Sequence, residues 1–278
     1  MLCSLPGQAA ACRQALVLGL DVSLSVDNSD FQLQRMGLAH ALTDPVVVQA
    51  MIAPMGNHVE LAVFEWTSTF NQSLLVDWTV IDSPEKLHGI AADLAEKPQG
   101  MRSGRTAIGA AMLYARDLLQ GRAHCLNQTV DISGDGPSNT GPLAEVAKRA
   151  MQADRITVNA LVIEDDAFPG LQGYFRDQVI TGPGGFVETA RGYADYRRAM
   201  VRKLLREVTP SLSSLQGNVA PGTGAEARQR PVPDLPAHQP QGGVADMRRH
   251  APHLPVAPLR YGDFQPAIGH RFALAHRR

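Results

Sequence analysis

The sequence predicts a doubly wound α/β domain, a mostly parallel sheet with helices on both faces. Three observations point there. Strand-like and helix-like segments alternate over roughly the first 208 residues, the pattern of repeated strand–helix–strand units with right-handed crossovers. The run Ala15-Leu16-Val17-Leu18-Gly19-Leu20 is apolar throughout, as in a strand covered on both faces of a parallel sheet. The chain of 278 residues is 44% hydrophobic with a formal net charge of −1, enough apolar material for a large core. That balance excludes a disordered chain and a strongly basic nucleic-acid binder. No segment reaches the ~20 apolar residues of a transmembrane helix.

After the first strand, Asp27 to Ser29 supply helix caps. Residues 31–52 then carry apolar side chains at helical spacing (Phe31, Met36, Leu38, Ala39, Leu42), interrupted or kinked at Asp44-Pro45. Residues 59–66 read as a second strand, rich in β-branched and aromatic side chains. The polar turn 67–72 joins it to an antiparallel edge strand over 74–81. Ser83-Pro84-Glu85 opens another helix, with Pro in the first turn. Ala107, Ala110, Ala111, Tyr114 and Leu118 mark a further one. Residues 127–133 and 156–163 are the fourth and fifth strands, with a helix over 142–153 between them. Phe186-Val187 is a short sixth strand, and 193–208 a closing amphipathic helix with a basic face of Arg197, Arg198, Arg202, Lys203 and Arg206. Residues 209–278 hold ten of the 19 Pro, and eight Arg against four acidic groups; a disordered tail is expected there.

Three segments carry chemistry. Asp21-Val22-Ser23-Leu24-Ser25 follows the first strand. Ser103-Gly104-Arg105-Thr106-Ala107-Ile108-Gly109 leads into a helix, and Thr129-Val130-Asp131-Ile132-Ser133-Gly134-Asp135-Gly136 is a strand ending in an acidic turn. Oxygen-bearing side chains at alternate positions, where a strand opens into a loop, can converge on a hard cation; magnesium takes oxygen ligands in octahedral geometry and keeps several waters. The combination of Asp-x-Ser-x-Ser, a Thr in a Gly-flanked loop and an Asp at a second strand end resembles the metal-ion-dependent adhesion site of von Willebrand factor A-type domains.

The resemblance spans about residues 14–207. It implies a six-stranded sheet of order 3-2-1-4-5-6 with strand 3 antiparallel. Among the site residues it implies Ser23, Ser25 and Thr106 as inner ligands, Asp21 and Asp135 as outer carboxylates acting largely through water, and Mg2+ (or Mn2+ or Ca2+) as the ion. In that order the first and fourth strands flank the point where connections reverse direction, and open sheets bind ligands there, beyond the carboxyl ends of the strands. Leu24 departs from related bacterial proteins, which commonly have Gly at that place. The wording of residues 130–137 and 180–187 is similar to a group of uncharacterised, single-domain proteobacterial proteins with this fold.

Cysteine spacing adds a separate expectation. Eight residues separate Cys12 from Asp21 and nine separate Cys125 from Asp135, so on neighbouring parallel strands the two sulfurs lie at nearly equal heights. A Cys12–Cys125 disulfide, or a frayed Cys12 with a buried, inert Cys125, both agree with that spacing. The disulfide would suit an oxidising compartment. Cys3 falls in residues 1–12, which read as a leader or the remnant of a signal segment. Gln8-Ala9-Ala10-Ala11 has the small residues of a cleavage region, without a charged start or a full apolar middle. A periplasmic or secreted protein is expected, with a cytoplasmic one as the alternative.

Other chemistries fail on inspection. Residues 100–106 have three residues instead of four in the phosphate-loop spacing, and Arg in place of Lys. The Gly-x-Ser-x-Gly elbow of serine hydrolases is missing from the sequence. An Asp-x-Asp phosphatase would need a carboxylate where Ser23 stands, and no Cys/His set has the linear spacing of a zinc site. A cation held by neutral hydroxyls and water-bridged carboxylates keeps more positive charge than one bound directly by several Asp. It therefore accepts a carboxylate from a partner as its last ligand. The sequence points to a metal-dependent protein-binding domain whose partner presents an acidic residue, with no catalytic constellation. Two alternatives stand: a metal-assisted hydrolase using the same pocket with Glu65 as base, and a cytosolic assembly subunit like the A-type modules that accompany chelatase motors. Arg105, Glu65, Trp66, Ser138 and Asn139 are expected to shape the rim. Asp131, an acid inside a strand, is expected to be satisfied by local donors.

Overall fold

The computed structural model describes residues 11–52, 57–97 and 104–209; Ser103, most of the expected leader and all of the tail beyond Thr209 lie outside the described residues. In chain order the elements are β1 (Ala11–Asp21), α1 (Asn28–Leu42), α2 (Pro45–Ile52), β2 (Asn57–Trp66), β3 (Gln72–Ile81), α3 (Pro84–Glu96), α4 (Ile108–Leu119), β4 (Gln128–Gly134), α5 (Ala144–Ala153), β5 (Thr157–Ile163), α6 (Leu171–Gln178), β6 (Val187–Ala190) and α7 (Tyr196–Val208). The strands form one six-stranded sheet in the order β3-β2-β1-β4-β5-β6. Only the β2–β3 pair is antiparallel; every other neighbouring pair is parallel.

The alternation of side chains along β1 builds two cores. Leu16, Leu18 and Leu20 join α1, α2, α3 and α7 in one cluster that includes Leu38, Leu42, Met51, Leu87 and Met200. Ala15 and Val17 face the other way, into a cluster with Phe64, Ile108, Met112, Met151 and Phe175 from β2, α4, α5 and α6. A two-residue period thus assigns each β1 side chain to one helical layer. Gly19 belongs to the second layer, and a Cβ there would lie 2.6 Å from Phe64 Cζ. The ring of Phe64 fills the space a side chain would need.

Several elements depart from the sequence expectations for physical reasons. β1 begins at Ala11, so Ala11 and Cys12, which the sequence reading put in the leader segment, are strand residues. Polar Arg13 and Gln14 break the apolar run but are buried with partners. The Arg13 guanidinium donates to the carbonyls of Val208, Ala50 and Met51 at 2.6, 2.7 and 2.9 Å, and Gln14 Nε2 donates to Thr129 Oγ1 at 3.1 Å. The interruption at Asp44-Pro45 separates α1 from α2, with the Val46 N–H donating to Asp44 Oδ1 at 3.0 Å. α6 has no counterpart in the sequence reading; it is a short helix that buries only Leu171 and Phe175, too few positions to register as a period. The sixth strand runs over Val187–Ala190 and not Phe186-Val187.

Lys203 is the largest correction. It does not share the basic face of α7 but is fully buried, with Nζ 2.8 Å from Asp131 Oδ2 and 2.6 Å from Glu207 Oε1. Asp131 is therefore paired structurally, as expected, but by a lysine from the last helix and not by local donors. Asn159 Nδ2 adds a hydrogen bond to Glu207 Oε1 at 3.0 Å. A buried ion pair needs such supporting contacts to offset the loss of water.

Candidate metal centre

The parallel register fixes where the sequence motifs meet. Asp21 pairs with Trp66 on β2, and Leu20 with Ser133 on β4, so the loops after β1 and β4 leave the sheet side by side at its carboxyl edge. The loop after β1 folds back on itself. The Ser23 N–H donates to Asp21 Oδ1 at 2.8 Å, and the Val26 N–H donates to the Ser23 carbonyl at 3.1 Å. Behind the loop, Gln34 Nε2 of α1 donates to the Asp21 carbonyl at 2.9 Å. The folded-back loop buries Ser23 and leaves Ser25 exposed at the edge of the strand ends.

Four of the five expected ligands are linked by hydrogen bonds, Asp21 through the Ser23 N–H. Ser23 Oγ and Ser25 Oγ are 3.1 Å apart, and Ser25 Oγ donates to Asp135 Oδ1 at 2.7 Å. Asp21 completes the floor. Its Oδ2 is buried with no hydrogen-bond partner and faces Gly134, where a Cβ would lie 3.4 Å from that oxygen. Burial, reinforced by the charge of Asp135 and opposed by hydrogen bonds from Ser23, pushes the Asp21 carboxyl up to about 8.

Thr106 sits on a clamped backbone beside this group. Its N–H donates to Asn139 Oδ1 at 3.0 Å, and its carbonyl accepts from the Asn139 N–H at 2.8 Å and from Ser138 Oγ at 3.2 Å. Ser138 Oγ also accepts from the Ile108 N–H at 3.2 Å, at the start of α4. The loop following Asp135 therefore holds the threonine loop in place. Gly109 permits the approach, since a Cβ there would lie 2.2 Å from the Pro142 carbonyl oxygen. The threonine loop also reaches the serine loop, with a Cβ on Gly104 falling 3.8 Å from Leu24 Cδ1. Among the described residues the Thr106 hydroxyl makes no hydrogen bond.

Sequence reasoning missed Tyr193. It lies in a short 3₁₀ turn, Tyr193–Asp195, ahead of α7, and its hydroxyl donates to Asp135 Oδ2 at 3.0 Å. Burial, followed by the charges of Asp135 and Asp21, pushes its hydroxyl far above the usual range, so it remains a donor. Its position at the head of a helix carries no motif signal. The expected rim is also revised. Ser138 and Asn139 act as clamps, and Arg105 Nη1 lies 3.5 Å from the Asn139 carbonyl. Trp66 is fully buried in the second core and shapes no rim. Glu65 lies one residue away, so strand alternation puts it on the face of Leu61 and Val63, while Asp21 shares the face of Ala15 and Val17.

The donor set fits a hard divalent cation. Hydroxyl and carboxylate oxygens converge, one buried carboxylate oxygen has no protein partner, and no soft ligand lies among them. The exposed apolar side chains Leu24, Phe70 and Phe168 stand on three loops at the same edge. Leu24 separates the two serines, Phe70 caps the β2–β3 turn, and Phe168 touches the space beside Gly136.

Solved structures with a similar fold extend the comparison. One is proximal thread matrix protein 1 from the mussel byssus, in a form with a zinc-occupied MIDAS motif (14% identity, TM-score 0.51, 72% of this chain and 46% of that one). Others are the open conformation of the pilus adhesin SpaC of Lactobacillus rhamnosus GG (14%, 0.53, 72% and 30%) and the vWF domain of the type V pili tip protein Mfa5 of Porphyromonas gingivalis (9%, 0.50, 78% and 99%). The chain spans less than half the length of the first two, and at these identities the likeness is one of fold. No curated protein matches the sequence. The family model for a protein of unknown function, DUF1194, matches residues 11–212. The chain belongs to the DUF1194 family, and its sheet and helices have the von Willebrand factor A-type fold.

Proposed function

We propose that this domain is a divalent-cation-dependent protein-binding module. Ser23, Ser25 and Thr106 would hold the ion through their hydroxyl oxygens, and Asp21 and Asp135 would orient its waters. The observation that carries this reading is the buried, unpartnered Asp21 Oδ2 beside a hydroxyl pair already linked to Asp135. When bound, the cation supplies a Lewis-acidic position that a partner's Asp or Glu carboxylate can occupy. Tyr193 holds Asp135 by one oxygen, leaving the other for the serine side. Leu24, Phe70 and Phe168 offer apolar contact around the mouth, which favours a partner whose acidic residue projects from an apolar patch. Magnesium is the expected ion. The Cys12–Cys125 disulfide supports a periplasmic or secreted location. Among the described residues no helix is long and apolar enough to cross a membrane.

The test is titration calorimetry of the full chain with Mg2+. The wild type is expected to bind one ion, and the Ser23→Ala/Ser25→Ala double variant to bind none while keeping its circular dichroism spectrum. Equal magnesium affinity in the two proteins would refute the ligand assignment.

A further inference from the structure

A second group of ligating side chains lies at the other end of the sheet. Cys12 at the start of β1 is bonded to Cys125, with Cα atoms 4.5 Å apart. Glu60 from β2 and His124 from the turn before β4 stand against the pair. One ligand atom from each of the four residues lies within 4.8 Å of all the others. They come from three separate stretches of chain, which is why linear spacing does not reveal them. A tetrahedral zinc site, from its Zn–S and Zn–N bond lengths, needs ligand atoms roughly 3.3 to 3.8 Å apart. The four lie within reach of that spacing, which the two sulfurs take up only once the bond between them is broken.

The surroundings suit a metal. Glu60 Oε1 meets His124 Nε2 at 2.7 Å, and Glu60 Oε2 is held by Arg122 Nη1 at 2.9 Å. That arginine contact fixes the orientation of the carboxylate, as outer partners of metal ligands do. Two thiolates, one carboxylate and a neutral imidazole around a divalent ion carry one net negative charge, which Arg122 is placed to balance. The guanidinium is itself stacked 4.7 Å from the ring centre of Trp78. Cys12, Cys125 and Glu60 are buried, whereas the His124 side chain is 53% exposed and opens a path from solvent. Soft sulfur ligands favour zinc over magnesium or calcium. The nine residue-to-residue steps of β1 from Cys12 to Asp21 put this group about 30 Å from the hydroxyl cluster.

We propose that Cys12, Cys125, His124 and Glu60 form a thiol-dependent zinc site, closed while the two sulfurs are bonded to each other and opened by a dithiol reductant. On opening, the S–S bond breaks, each sulfur gains one electron and one proton, and the reductant's two thiols close to a disulfide. Zinc then displaces both thiol protons to solvent and takes the thiolates, the imidazole nitrogen and the carboxylate. The start of β1 and the turn before β4 are thus tied by a disulfide under oxidising conditions and by a metal under reducing ones.

The experiment compares the full chain as purified with the same chain reduced by a dithiol and desalted without air, using Co2+ and Zn2+ as probes. The reduced protein is expected to bind one more Co2+ per chain, with thiolate-to-cobalt charge-transfer absorption that zinc bleaches. His124→Ala in the reduced state is expected to weaken zinc binding by at least about tenfold, the minimum cost of disturbing even an outer partner, and to leave the oxidised protein unchanged. Three results would overturn the proposal: no additional metal on reduction, equal zinc affinity in the reduced His124→Ala variant, or loss of the folded far-UV spectrum when the protein is reduced in the presence of zinc.

Discussion

Asp21 has one oxygen engaged by the Ser23 N–H and one without a protein partner, and its carboxyl is raised to about 8, first by burial and then by Asp135. In the metal-free domain it holds a proton near neutral pH that the unfolded chain, with a carboxyl pKa of about 4, has already lost. The folded state therefore binds more protons between roughly pH 4 and pH 8, and metal-free stability falls as pH rises through that window. Cation binding at Asp21 would displace this proton. Calorimetry in two buffers of different ionisation enthalpy is expected to show proton release with magnesium binding, and an affinity that weakens as pH falls below about 8. Buffer-independent heats would contradict it. At the far side of β4, Lys203→Met leaves Asp131 and Glu207 buried without their cation; a loss of about 3–5 kcal/mol is expected from urea unfolding. Asp131 was legible in the sequence as an acid needing a partner. Lys203 was not, because helical spacing placed it beside four exposed arginines and only the packing of α7 turns it inward.

Among the elements, the helix–loop contact at Gly109 ties the threonine loop to the aspartate loop. Gly109→Ala places a methyl on the Pro142 carbonyl and must push α4 from the loop after β4, at a cost of about 1–3 kcal/mol. The expected result is a lower thermal midpoint together with weaker magnesium binding, because Ser138 and Asn139 lose their grip on Thr106. A lower midpoint with unchanged binding would show that the clamp does not position the threonine. At the opposite edge, the disulfide closes a loop of 113 residues. Cys12→Ser/Cys125→Ser is expected to cost about 2–5 kcal/mol, read as a lower urea midpoint with a steeper slope, since the freed unfolded chain exposes more surface. Strands with continuous apolar runs were readable, as were helices with several apolar turns. The first residues of β1 were hidden because Arg13 and Gln14 satisfy their polar groups through contacts remote in sequence, and α6 was hidden because two buried positions make no period.

For the molecule as a whole, one sheet with a helical layer on each face brings motifs more than a hundred residues apart to one edge. The fold was legible because strands and helices alternate and because the site residues fall where strands open into loops. The candidate site was legible to the extent that its residues form short motifs: Asp21, Ser23, Ser25 and Asp135 lie within hydrogen-bond contact of one another along a chain of bonds. Tyr193, the Ser138–Asn139 clamp and the cysteine–histidine–glutamate group depend on which loops end up adjacent, and no local pattern records that. The most direct measurement is manganese anomalous scattering from crystals of the protein grown with Mn2+. A peak is expected that is bounded by the hydroxyls of Ser23, Ser25 and Thr106, with Asp21 and Asp135 behind it. Ordered side chains at full manganese concentration with no peak there would contradict it.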